Sequence, residues 1–238
     1  DTIALDAGMG EAEHAMSLAN LAGVLENAGD YEGSLTALRQ AIDLLDKVEM
    51  DADHQSRRRI TRSLARTLGL AGQDDKAWPL MQELRERCLR IEGQDSGEYA
   101  MLTWQLALLA ERMGNRGVGI GLVDEAERLW GALAPPSHPL FAHVLRLRAR
   151  WAVRAGDIAA AEQNLREASR ILSDETASPV DLAIVRSELA QVLWTRQGKV
   201  AATDLMLAAL PVLRGALLAT EVNRVRAEAL AAQLGMGH

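Results

Sequence analysis

With 238 residues, 48% of them hydrophobic and 25% charged, the chain is long enough to bury a sizeable core and has the composition of a soluble globular protein. Its formal net charge of −7 argues against generic nucleic-acid binding, because a phosphate backbone needs a basic footprint. One cysteine, Cys88, excludes an internal disulfide framework and fits a reducing compartment. There is no secretory signal and no apolar run long enough to cross a membrane.

In chain order, Asp1 to Leu5 fall where the second helix of a preceding unit would end, and Asp6 to Gly10 are expected to form a loop. On that basis the sequence looks like a piece of a longer polypeptide. Helices are then expected in pairs: Glu11–Ala28 with Tyr31–Val48, His54–Ala71 with Asp74–Ile91, and Gly97–Met113 with Arg116–Leu133. Pro139–Ala155 pairs with Ile158–Leu172, Pro179–Arg196 with Lys199–Leu218, and a last helix follows near Thr220–Leu234. Asp51-Ala52-Asp53, Gln94-Asp95-Ser96-Gly97 and Ser178-Pro179 supply helix-start chemistry. Pro135-Pro136-Ser137-His138-Pro139 makes the firmest break, since Pro139 suits a first helical turn and cannot extend the helix before it. Pro211 is expected to kink the helix that contains it. Glu221, Asn223, Arg224, Arg226 and Glu228 give the last helix the polar face of a terminal cap. No strand pattern and no Gly-rich phosphate loop occurs.

The helix pairs repeat one grammar. Leu21-Ala22 returns as Leu64-Ala65, Leu106-Ala107 and Leu189-Ala190, and Ala149 holds the same place behind Arg148. Gly29, Gly72, Gly114, Gly156 and Gly198 follow at intervals of 43, 42, 42 and 42 residues, each suited to a left-handed helix end. Ser34, Ala77, Gly119, Ala161 and Ala202 supply the small residues opposite the repeat alanines, where two helices approach closely.

Leu18-Ala19-Asn20-Leu21-Ala22, Gly29-Asp30-Tyr31 and Ser137-His138-Pro139 resemble the tetratricopeptide repeat (TPR), in the longer variety found in kinesin light chains and many bacterial signalling proteins. His54 and His138, each 11 residues before a repeat alanine, share that register. The resemblance covers nearly the whole chain, with Arg148 in place of the expected leucine and one extra residue between Ala190 and Gly198 as departures. It implies an all-α, right-handed α-solenoid of five TPR-like helical hairpins plus a C-terminal capping helix, in a single domain over 1–238. Residues 1–10 would be a remnant of a preceding repeat, 11–50, 51–93, 94–135, 136–175 and 176–218 the repeats, and 219–238 the cap.

Catalytic chemistry is hard to find. His14, His54, His138, His143 and His238 show no metal-ligand spacing, so no metal site and no cofactor are expected, and the histidines suit polar helix-start roles. Cys88 stands among Arg85, Arg87 and Arg90, yet without a partnered histidine it is read as a small, partly buried residue rather than a nucleophile. Met16, Met81, Met101 and Met206 belong to core and groove lining. The segment is not expected to be an enzyme.

In proteins of this resemblance the first helices of the repeats line an inner surface where ligands bind. The inward stripe, six and three residues before the repeat alanine and one and four after it, contains Met16, Ala19, Gly23 and Glu26, then Arg59, Arg62, Arg66 and Gly69. Met101, Trp104, Leu108 and Glu111 follow, then His143, Arg146, Arg150 and Val153, and last Ile184, Ser187, Gln191 and Trp194. Five arginines and two tryptophans on one stripe of an acidic protein point to a partner-binding groove. The candidate partner-binding residues are Arg59, Arg62, Arg66, Trp104, His143, Arg146, Arg150, Gln191 and Trp194. No Asp or Glu stands three or four residues from Arg62, Arg66, Arg146 or Arg150, which leaves pairing across repeats, with Glu26 or Glu111, as the structural reading of the same residues.

The expected function is a non-catalytic protein-interaction or sensor module that binds an acidic peptide or protein segment in a basic concave groove, with no nucleic acid and no membrane insertion. Similar arrays occur as C-terminal regions of bacterial transmembrane Ser/Thr protein kinases, a parent this sequence is compatible with; the location stays open between the cytoplasm and, for a receptor-type parent with a membrane span upstream, the periplasm. The alternatives are a scaffolding array of a transcriptional regulator or cytoplasmic assembly factor, and a small-ligand sensor with a tight pocket around Trp104.

Overall fold

A computed structural model describes residues 2–174, 177–219 and 221–236. Asp1, Thr220 and His238 lie outside them. Every regular element among the described residues is an α-helix: α1 (Thr2–Asn27), α2 (Tyr31–Lys47), α3 (Gln55–Leu70), α4 (Asp74–Glu92), α5 (Gly97–Arg112), α6 (Arg116–Leu133), α7 (Pro139–Arg154), α8 (Ile158–Ile171), α9 (Pro179–Gln197), α10 (Lys199–Ala216) and α11 (Val222–Gln233). Ten of these match the expected helices to within about two residues, the usual uncertainty of helix ends.

The exception is the beginning. The expected loop over Asp6 to Gly10, with a separate helical remnant before it, is not present: α1 runs unbroken from Thr2 to Asn27. Gly8 and Gly10 suggest a break, but a helical glycine costs only about 1 kcal/mol and, unlike proline, removes no hydrogen bond. Proline, too, is tolerated within these helices. α4 continues through Pro79 and α10 through Pro211, where Pro211 and Leu207, whose carbonyl loses its helical partner, are both exposed.

Helix ends follow local chemistry. Asp30, Ser96, Asp157 and Ser178 accept N-cap hydrogen bonds from Gly33, Tyr99, Ala160 and Asp181. His54 and His138 do the same through Nδ1, which accepts from the amides of Ser56 at 3.2 Å and Leu140 at 3.3 Å, so both take the helix-start role. Gly29, Gly72, Gly114, Gly156 and Gly198 all have φ between 72° and 86°, the left-handed region that the repeat spacing required.

The chain forms two compact units, Asp1–Leu129 and Trp130–His238, with the division inside α6. In the first, α1 packs on α2, α2 on α3, α3 on α4 and α4 on α5; α1 also meets α3. In the second, α7 packs on α8, α8 on α9, α9 on α10 and α10 on α11. The repeat alanines Ala22, Ala65, Ala107, Ala149 and Ala190 are at most 1% exposed, and Ser34, Ala77, Ala161 and Ala202 are fully buried, as close helix crossings demand. Around them pack Leu38, Leu68 and Met81 in the first unit, and Leu165, Met206, Leu210 and Leu213 in the second.

Candidate functional site

α1 and α3 of the first unit enclose an open cleft of about 290 Å³, whose lining includes Ala19, Gly23, Glu26, Arg59, Arg62 and Arg66. All six stand on the inward stripe of their repeats. Ala19 and Gly23 leave room because they are small; Arg59, Arg62 and Arg66 share one face of α3 at helical spacing. The floor is polar. Fully buried Thr67 donates its hydroxyl to Glu26 Oε2 at 2.9 Å, and the Ser34 hydroxyl lies 3.5 Å from that of Thr67.

The three guanidiniums differ. Arg66 Nη2 is 3.1 Å from Glu26 Oε1, so the cross-repeat pairing with Glu26 is present. Arg62 pairs with Glu98 in the first turn of α5. Arg59 is exposed; its Nη2 lies 3.6 Å from Met16 Sδ, and among the described residues it meets no carboxylate. Three arginines therefore line the cleft with one carboxylate, Glu26, and with Arg62 paired to Glu98 and Arg66 to Glu26 the excess positive charge falls on Arg59.

The second unit brings His143, Arg146 and Arg150 of α7 against α9, with a different result. Glu188 accepts from Arg146 Nε at 2.8 Å and from Arg150 at 3.1 and 3.2 Å. Arg146 Nη2 also donates to Asn223 Oδ1 at 2.8 Å, and Asn223 in turn donates to Glu221, the N-cap of α11. These arginines bind helices to one another. His143 is half-buried, and burial pushes its imidazole below the usual histidine range, helped by Arg146 and opposed by Asp181. Gln191 is exposed, and Trp194 is half-buried, packed against the α10–α11 core.

Trp104 belongs to the core of the first unit at 8% exposure, outside the lining of the cleft. Cys88 is 1% exposed and 3.5 Å from the Ser96 hydroxyl; burial pushes its thiol pKa up, the opposite of what a nucleophile needs. Among the described residues, no group of three or more His, Cys, Asp or Glu side chains is arranged to hold a metal ion, and no helix is long and apolar enough to cross a membrane.

Sequence reasoning missed Glu98, Glu188 and the hydroxyl floor, and read Asn223 only as part of a polar cap face rather than as a partner of Arg146. Glu98 stands nine residues before Ala107 and Glu188 two before Ala190, so neither shares a repeat position and no periodic signal marks them. Ser34 reads in the sequence only as a small packing residue.

No protein-family model matches the chain, and no curated protein matches it. Solved structures do. A kinesin light chain-like protein of Podosopora anserina with nearly identical TPR-like repeats superposes with a TM-score of 0.62 at 17% identity, covering 84% of this chain and 95% of its own. BtubC of P. vanneervenii gives 0.61 at 17% identity over 100% of this chain and 94% of that one. A thermophilic TPR protein of Thermus thermophilus gives 0.57 at 20% identity over 92% and 99%. The chain has the fold of a TPR-like helical array.

Proposed function

We propose that the chain is a protein-interaction module without catalytic chemistry, and that the cleft between α1 and α3 receives an acidic segment of a partner protein. The observation that carries this reading is Arg59, an exposed guanidinium that meets no carboxylate among the described residues and lines a cleft with two further arginines, in a protein whose net charge is −7. Its planar fork suits a carboxylate, and a local positive concavity speeds encounter with an acidic segment although the whole molecule repels it. A charge-assisted contact of this kind is worth about 1.5–3 kcal/mol. Arg146 and Arg150 support the second unit's architecture through Glu188 and are secondary in this reading.

The test is fluorescence anisotropy with the labelled peptide Gly-Asp-Leu-Asp-Leu-Asp-Gly. Arg59→Glu is the informative variant, because Arg62→Glu would set two carboxylates together at Glu98 and damage the fold as well as the cleft. Saturable, salt-sensitive binding is expected for the wild type and for Arg116→Glu, an exposed position at the start of α6, and none for Arg59→Glu. Equal binding by all three proteins would place the interaction elsewhere.

A further inference from the structure

Gly23 has no structural reason to be glycine. It lies inside α1, away from either end, where glycine is about 1 kcal/mol worse than alanine. Its φ is not among the positive values found at the helix ends. A Cβ built on it would meet nothing within 4 Å. Gly10, Gly117, Gly121, Gly131 and Gly215 are equally unobstructed in their helices, but all five are exposed, so their empty space is solvent. Gly23 is half-buried, and its empty space is the cleft.

The accessible surface around that space is apolar at Ala19 and Gly23, both half-buried, and cationic at Arg59, Arg62 and Arg66. Leu38 and Ile60 also stand in the lining but are already buried, at 1% and 0% exposure, so the wall open to a ligand is the one that Ala19 and Gly23 form. A purely anionic occupant would satisfy Arg59 and leave that small apolar wall in contact with water. An aliphatic side chain next to a carboxylate satisfies both, because its burial removes apolar surface on the ligand and on the wall together.

We propose that Gly23 is the specificity-determining position of this cleft: its missing side chain is the seat for an aliphatic residue of the partner, adjacent in that partner to an aspartate or glutamate held by Arg59. The inference rests on the reading of the cleft as a site for an acidic segment, and adds to it the apolar half of the recognition. It also fixes a size. A side chain of leucine dimensions at residue 23 would occupy the seat from within the chain and shut the partner's residue out. Because nothing opposes its Cβ and leucine is a better helix former than glycine, that substitution leaves α1 intact.

Two labelled peptides separate the possibilities, Gly-Asp-Leu-Asp-Leu-Asp-Gly and its counterpart Gly-Asp-Gly-Asp-Gly-Asp-Gly, each titrated against wild type, Gly23→Leu, Gly121→Leu and Arg59→Glu. The expected result is a preference of about tenfold or more for the leucine peptide in the wild type and in Gly121→Leu. In Gly23→Leu that preference disappears, the charge-dependent binding of the glycine peptide persists, and the melting temperature is no lower than that of the wild type. If wild type binds both peptides equally and Gly23→Leu changes neither, the seat is refuted while the acidic-segment reading stands. If neither peptide binds, or Arg59→Glu binds as well as wild type, the reading itself fails and the seat falls with it. A lowered melting temperature in Gly23→Leu would show that the space is needed by the fold, and overturns the proposal on that ground.

Discussion

Arg214 and Glu228 meet through two parallel N–H···O bonds, Nε to Oε1 and Nη2 to Oε2, each 2.7 Å long. The fork joins α10 to α11, and Arg224 adds hydrogen bonds from α11 to the carbonyls of Arg214 and Leu217 at the end of α10. The geometry is good, but both side chains of the Arg214–Glu228 pair are about a third exposed, so water competes with it. The apolar face of α11 contributes more: Ala227, Leu230, Ala231 and Leu234 are at most 2% exposed against Met206, Leu210 and Leu213.

Leu230→Ala is therefore expected to lower stability by about 2–4 kcal/mol, and Arg214→Ala to lower it far less. Removing residues 219–238 exposes that core and should bring aggregation or a loss of cooperative unfolding. Urea titration of the three variants ranks them; an Arg214→Ala loss as large as that of Leu230→Ala would show that the ion pair, not the apolar face, holds the cap.

Two glycine-to-alanine substitutions should act with opposite sign. Gly156 ends α7 with φ of 78°, where an alanine crowds its own backbone, and a loss of about 1–2 kcal/mol is expected. Gly23, helical and unobstructed, should gain about 0.5–1 kcal/mol as alanine. A shared sign for the two midpoint shifts would contradict the account of both positions.

That contrast also explains what the sequence made legible. Gly29, Gly72, Gly114, Gly156 and Gly198 could be read because each satisfies a backbone condition that recurs with every repeat, and the buried small pairs, such as Ala22 with Ser34, recur for the same reason. The partners of the arginines could not. Arg62 finds Glu98 and Arg146 finds Glu188 from unrelated repeat positions, since long side chains reach any neighbour that the crossing of two helices brings near. A stripe of arginines looks the same in sequence whether it faces a ligand or a carboxylate on the next helix. Asp6 to Gly10 failed in the other direction: two glycines look like a loop, but nothing there obliges the helix to stop.

Cys88 should be inert in the folded protein. The residue is 1% exposed, and burial raises its thiol pKa, with the neighbouring Glu92 and Glu98 adding to the rise against the Ser96 hydrogen bond. A thiol reagent is expected to label it only as fast as the first unit opens, and immediately in concentrated urea. Labelling of native protein at the rate of a free thiol would mean that the α4–α5 region opens far more readily than its packing implies.

His143 gives the second unit a dependence on pH whose sign follows from its environment. Burial lowers its pKa from the ordinary 6.5, Arg146 on α7 lowers it further, and Asp181 on α9 pulls it back up without cancelling the shift. Between the ordinary value and the lowered one, the unfolded chain binds a proton that the folded chain refuses, so stability rises with pH through that window. The contribution is complete above about pH 6.5, is lost progressively as the pH falls below it, and stops changing beneath the folded value. His143→Gln removes this component, and Asp181→Asn, which takes away the opposing carboxylate, should enlarge it. The comparison is of urea midpoints at about pH 7.5 and about pH 5.5, where wild type should lose more than His143→Gln and Asp181→Asn more than wild type. If the loss on acidification is the same in wild type and His143→Gln, the imidazole is not desolvated in the fold and another group sets the acid limit.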